Sequence, residues 1–108
     1  MSAQELLLTL VSKCPVVIFS APGCGKCVEI ATWLSENCDP AIWVKHDVPS
    51  LADEYEEVLV HELVALLKET TDRTTYPFCF YNGNYVADTN ELIHIVSRNH
   101  FDLKFDEL

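Results

Sequence analysis

At 108 residues the chain has room for one domain and one modest core, and a hydrophobic fraction of 49% excludes a disordered polymer. Seventeen acids against seven basic residues give a net charge of −10, which argues against nucleic acid and anionic membrane surfaces as partners. Five cysteines, an odd number at irregular spacing, do not make a secreted disulfide framework.

The N-terminus has no basic n-region, and Leu6–Val11 is too short for a signal peptide. No apolar run approaches membrane-spanning length, so a reducing, cytoplasmic setting is expected. The final Phe105-Asp106-Glu107-Leu108 is similar to an endoplasmic-reticulum retention tail, read here as coincidence in the absence of a translocation signal.

In chain order, Ser2 and Glu5 are spaced as a capping box ahead of an apolar stripe of Leu6, Leu7, Leu10 and Val11, with Lys13 in the expected last turn. Pro15–Ser20 reads as a short buried strand, its centre Val16–Phe19 continuously apolar like a strand covered on both faces. Ala21, Pro22 and Gly23 break it. Cys27–Leu34 then follows helical spacing, with Ile30, Ala31 and Leu34 inward and an end near Asn37–Pro40. Ile42–Val48 reads as a second strand, parallel to the first through a right-handed crossover.

Pro49 and Ser50 open a long helix in which Ser50 and Asp53 form a second capping box. Its predicted stripe is Leu51, Tyr55, Val58, Leu59, Leu63, Leu66 and Leu67. Asp53, Glu54, Glu56 and Glu57 crowd its first turns and Lys68 its end, as the helix dipole prefers; the acidic run is a solvated face. Thr70–Thr75 is a polar connection. Pro77–Tyr81 is a third strand, Asn82-Gly83 a hairpin turn, and Tyr85 and Val86 begin a fourth strand. Asn90 caps a last helix running through Arg98, with Leu92, Ile93, Ile95 and Val96 inward; Asn99–Leu108 carries no clear pattern.

The chemistry concentrates at Cys24-Gly25-Lys26-Cys27, where the first strand runs into a helix. The spacing sets two thiols one helical turn apart, the first at the helix N-terminus. Unpaired amide donors and the positive end of the dipole favour a thiolate there, which lowers its pKa. The second thiol is near enough to close a disulfide and release whatever the first has captured, so the pair reads as a redox dithiol. Cys79 lies on a core strand and reads as a small buried hydrophobe, while Cys14 and Cys38 flank elements as bystanders or as partners in a regulatory or intermolecular disulfide. His46, His61, His94 and His100 show no metal spacing, and a zinc site on the dithiol lacks a second ligand pair; no metal is expected.

The order of these elements resembles the glutaredoxin branch of the thioredoxin fold over nearly the whole chain, residues 1–108. Three local matches carry the resemblance: Val16–Ser20 leading into Cys24 and Cys27, Arg73–Pro77, and Asn82-Gly83 followed by Val86 and a capped helix. Ala21–Cys27 is also similar to the Ala-Pro-Trp-Cys-Gly-x-Cys of thioredoxin and protein disulfide isomerase. Gly23 replaces that tryptophan, however, and only about a dozen residues precede the first strand, too few for thioredoxin's extra leading strand and helix. The resemblance implies an α/β fold with a four-stranded mixed sheet flanked by helices, and a cis bond between Tyr76 and Pro77. Such a bond would turn the backbone of Tyr76 toward the dithiol, where an extended substrate pairs like an added strand.

It also implies roles. Cys24 is the nucleophile and Cys27 the resolving thiol, with Lys26 where many relatives carry tyrosine. Glutathione is the implied reductant, met by Arg73, Lys26, Thr75, Tyr76 and Pro77, and at its γ-glutamyl end by Asn90 and Glu91. The site is atypical: Ala21 stands where relatives place a lysine, and Ala87-Asp88 where they place Gly-Gly. Weaker glutathione binding is expected. The implied activity is thiol-disulfide oxidoreduction on protein disulfides or glutathione mixed disulfides, by a monomer. The alternatives are a thioredoxin-type dithiol reductase recycled by a flavoenzyme, and a carrier of a [2Fe–2S] cluster, for which Gly25 after the first cysteine is the favourable sign.

Overall fold

The computed structural model of the chain describes residues 1–99. His100 and the Phe105–Leu108 tail lie outside them. Helix α1 (Ala3–Val11) leads into strand β1 (Val16–Ser20) and helix α2 (Gly25–Asn37). A 3-10 turn (Pro40–Ile42), β2 (Trp43–Asp47), a second 3-10 segment (Val48–Asp53) and α3 (Glu57–Thr71) follow, then β3 (Phe78–Tyr81), β4 (Asn84–Val86) and α4 (Thr89–Asn99).

The four strands form one mixed sheet in the order β2-β1-β3-β4. β1 runs parallel to β2, with Val16 opposite Trp43 and Ser20 opposite Asp47, and antiparallel to β3. The hairpin turn is as the sequence predicts: Asn82 and Gly83 both adopt positive φ (49° and 82°), which is what a two-residue turn between twisted strands demands. The Asn82 N–H donates to the Pro15 carbonyl at 2.7 Å and ties this turn to the entrance of β1.

Every residue of β1 is buried, because both faces of the sheet are covered. On one face Val17, Phe19, Phe78 and Phe80 pack with Leu6 and Leu10 of α1 and Leu63 and Leu67 of α3. On the other, Val16, Ile18, Cys79 and Val86 meet Ile30 and Leu34 of α2 and Leu92 and Val96 of α4. The continuous apolar run of β1 is therefore the central plank, and its C-terminal end delivers the chain to the dithiol. The Ser2 capping box forms in both directions, through Glu5 N–H to Ser2 Oγ at 3.1 Å and Ser2 N–H to the Glu5 carboxylate at 3.3 Å.

Several boundaries differ from the sequence expectation. α1 ends at Val11 with Ser12 as its C-cap, so Lys13 lies past the last turn. α2 starts at Gly25, and Ala31 is only half-buried. Ile42 belongs to the 3-10 turn, where the Asp39 side chain accepts the Ala41 N–H at 2.8 Å. The second capping box does not form: Ser50 Oγ donates to Asp47 Oδ2 at 2.8 Å instead, and residues Val48–Asp53 make a separate 3-10 segment. That segment seats Leu51 in the core before the chain turns into α3. The register of α3 shifts accordingly, with Val60 rather than Val58 inward; Val58 is 65% exposed. At the last helix the capping acceptor is Asp88, whose Oδ1 takes the Asn90 N–H at 2.9 Å, so Asn90 is not the cap.

His46 is the polar ring in the aromatic row of the α1/α3 face. It stacks on Phe19 at 5.7 Å, and its Nε2 is buried with no hydrogen-bond partner. Burial first, and then the charge of Lys13, lower its pKa, against an opposing pull from Glu54. Below the ordinary histidine value of 6.5 the unfolded chain thus holds more of this proton than the folded one. Stability contributed by a neutral His46 is complete above that value and is lost as pH falls through it toward the lowered folded-state value. Urea unfolding at about pH 7.5 and about pH 5.5 checks this: the wild type should lose more stability on acidification than His46→Gln, which carries no titrating ring.

Candidate functional site

β1 ends at Ser20, a buried polar side chain whose Oγ donates to the His46 carbonyl at 3.3 Å across the parallel β1–β2 pair. Pro22 and Gly23 then carry the chain outward, and both are exposed. Gly23 has φ +75° with open space where a Cβ would point, so the backbone conformation, not crowding, calls for glycine here. A residue with a side chain would be strained in this conformation.

Cys24 is the N-cap of α2, in extended conformation, and its sulfur accepts the Cys27 N–H at 3.2 Å. That is the geometry with which a serine or aspartate oxygen caps a helix, with sulfur in the oxygen's place. Cys24 is half-buried while Cys27 is only 3% exposed. The two sulfurs are joined in a disulfide, with Cα atoms 5.3 Å apart. One sulfur faces solvent and the other stands behind it.

Opposite lies the Tyr76–Pro77 bond, which is cis. The Tyr76 carbonyl oxygen sits 3.7 Å from Cys24 Sγ, so a thiol there would donate to it. The Tyr76 ring packs edge-on against Phe78 at 5.1 Å, and its phenol pKa is raised by burial and by the nearby Asp47 carboxylate. Both effects keep the ring neutral.

Beside the dithiol is a cleft of about 210 Å³ lined by Lys26, Arg73, Pro77 and Cys79 and by the start of α4 at Asp88 and Thr89. Arg73 donates from its guanidinium to the Ala87 carbonyl, tying the loop before Pro77 to the end of β4. Cys79 forms the floor, and burial pushes its thiol up to about 12, against a smaller opposing effect of Arg73. A larger cleft of about 350 Å³ lies elsewhere, between Val11–Pro15 and the Asn82-Gly83 turn. None of the dithiol residues borders it.

The fold thus brings together Cys24, Cys27, Lys26, Arg73, Tyr76 and Pro77 from two separate stretches. Thr75 is exposed on the loop before them. Asn90 and Glu91 are exposed in the first turn of α4 and do not line the cleft. Sequence reading missed Asp88 as the cap, although Asp88 and Glu91 have capping-box spacing. It also missed Cys79 as cleft floor, which follows only from strand pairing. Among the described residues, no group of three or more His, Cys, Asp or Glu is placed to hold a metal ion. No helix among them is long and apolar enough to cross a membrane.

No protein-family model matches the chain, and no curated protein matches its sequence. Solved structures do match. The holo form of glutaredoxin C1 from Populus tremula x tremuloides superposes with a TM-score of 0.65 at 26% identity, over 90% of this chain and 88% of that one. A dithiolic glutaredoxin from Trypanosoma brucei brucei gives 0.65 at 22% identity, over 89% and 91%. A buckwheat glutaredoxin solved with glutathione gives 0.64 at 19% identity, over 90% and 79%. The chain thus has the fold of the glutaredoxins, with a close, redox-type Cys24–Cys27 pair.

Proposed function

We propose that the chain reduces protein disulfides and glutathione mixed disulfides through its Cys24/Cys27 dithiol, acting as a monomer in a reducing compartment such as the cytoplasm. The observation that carries this reading is the Cys24 sulfur: half-exposed, at the N-cap of α2, accepting the Cys27 amide. In the reduced protein the same amide and helix dipole stabilise a thiolate.

That thiolate attacks one sulfur of a substrate disulfide. A Cys24–substrate bond forms as the substrate bond breaks, and the first substrate thiolate leaves. Cys27 then gives up its proton to solvent and attacks Cys24 Sγ. The second substrate thiolate departs, and two electrons have passed from the dithiol to the substrate, leaving the Cys24–Cys27 disulfide. Two glutathione molecules, or a flavoenzyme, restore the dithiol. During attack the substrate backbone lies extended against Tyr76 and Pro77, in the manner of an added strand. Lys26 and Arg73 line the neighbouring cleft and supply positive charge for glutathione, with Thr75, Asn90 and Glu91 at its margins.

Single-cysteine variants test the roles. Cys24→Ser should abolish reduction of both substrate classes. Cys27→Ser should lose protein-disulfide reduction but keep part of its activity on a glutathionylated peptide, since glutathione itself can resolve that intermediate. Alkylation adds a check on the thiolate: in the reduced protein, iodoacetamide should modify Cys24 well below a free cysteine's pKa of about 8.5, and leave Cys79 untouched. Activity that survives in Cys24→Ser and vanishes in Cys27→Ser would reverse the assignment.

A second reading, recycling by a flavoenzyme, is favoured by two observations: Ala21, between β1 and the dithiol, supplies no cation, and the Arg73 guanidinium is engaged by the Ala87 carbonyl. Turnover with glutathione and its reductase, set against turnover with thioredoxin reductase and NADPH, decides between them. Glutathione should sustain turnover with a raised KM. Turnover with the flavoenzyme alone would establish the second reading.

A further inference from the structure

We propose that Asp88 is a specificity-determining residue: an anion built into the cleft beside the dithiol that turns away substrate carboxylates and so favours protein disulfides over glutathione disulfides. The proposal rests on the reading above and names the substrate preference of the same site.

The cleft holds three charged side chains, Lys26, Arg73 and Asp88. A helix start flanked by two cations is, physically, a receptor for a carboxylate. In this chain part of that capacity is taken internally. The Asn90 N–H, which an incoming anion would need, already donates to Asp88 Oδ1 at 2.9 Å. The next turn is closed by the Leu92 N–H donating to the Asp88 carbonyl at 3.0 Å. Arg73 donates to the Ala87 carbonyl, one residue away. The other cation, Lys26, is an exposed side chain on a long stem.

Glutathione carries two carboxylates at neutral pH, and its disulfide carries four. Bringing one into a cleft of about 210 Å³ sets it near the Asp88 carboxylate, an exposed charge whose repulsion acts at short range. The net charge of −10 adds a weaker repulsion at longer range. A disulfide inside a protein is flanked by amides instead. Its recognition runs through the backbone at Tyr76 and requires no carboxylate in the cleft, so Asp88 leaves it unopposed. The expected result is discrimination, not general inhibition.

Two substitutions separate charge from occupancy. Asp88→Asn removes the charge and keeps a side-chain oxygen to cap α4, because asparagine caps as well as aspartate does. Asp88→Gly removes both charge and cap and frees the Asn90 amide. The probe is S-methylglutathione, which cannot exchange, titrated by NMR into the oxidised protein. Asp88→Asn should bind it about three- to ten-fold more tightly than wild type, with the gap narrowing in high salt. Asp88→Gly should bind at least as tightly as Asp88→Asn wherever circular dichroism shows α4 intact. In turnover, the ratio of kcat/KM for glutathione disulfide to that for insulin disulfide should rise by a similar factor. Equal binding by wild type and Asp88→Asn would overturn the proposal, as would a rise shared equally by both substrates. The binding arm uses no catalysis, so a protein with no disulfide reductase activity would defeat the functional reading and leave this comparison legible.

Discussion

The contact on which the rest of the structure turns is the one between Cys24 Sγ and the Cys27 N–H, 3.2 Å long, at the first turn of α2. A helix start leaves amide donors unpaired, and here sulfur is the acceptor that satisfies one of them. Placing it there takes three arrangements at once. β1 must be buried on both sides so that its end is fixed. Gly23 must adopt positive φ so that the chain can turn into the helix. The face of α2 carrying Cys27, Ile30 and Leu34 must be held against the sheet, which is also what hides the second sulfur. Reactivity at Cys24 and protection of Cys27 are two results of one packing decision.

Around that contact the chain manages an unfavourable charge. A protein with a net charge of −10 is a poor place to keep a thiolate, since every surrounding carboxylate favours its protonation. The local remedy is the start of α2, with the Cys27 N–H aimed at the sulfur, and two cations, Lys26 and Arg73, line the cleft beside it. The price is that those same cations would draw in any anion, and the fold limits this by engaging Arg73 with the Ala87 carbonyl and by setting Asp88 at the start of α4. The cleft therefore supports the sulfur while offering little to a carboxylate ligand.

Much of this was readable from residues alone, for identifiable reasons. The hairpin was legible because Asn82-Gly83 suits few other conformations, and β1 because its short apolar run is β-branched and bounded by Pro15 and by Pro22-Gly23. The dithiol was legible from the Cys24–Cys27 spacing where a strand meets a helix, and the cis bond at Tyr76–Pro77 through the resemblance to glutaredoxins. The start of α3 was not. Ser50 has two possible acceptors or donors within three residues, and its bond to Asp47 is set by the end of β2, a tertiary fact that capping rules do not contain. Val58 and Val60 are equally apolar, so the register of α3 waits on where Leu51 is seated. Asp88 was overlooked for a similar reason: Asn90 and Asp88 are equivalent caps on paper, and only the exit of β4 at Val86 decides which one reaches the helix start.

Cys79 shows why location rather than residue type makes the reactive centre. It lines the same cleft, has Arg73 nearby, and lies two residues beyond Pro77. Yet its thiol is pushed up to about 12, because burial removes the solvent that would stabilise a thiolate and no helix start replaces it. Arg73 lowers that value, but by less than burial raises it. A nearby cation is thus insufficient in this cleft to activate a sulfur; an aligned amide donor and access to solvent are what distinguish Cys24. The same logic governs ligands of the cleft. Lys26 is exposed on a long stem, so its charge is screened by water and the Asp88 carboxylate at the start of α4 opposes it.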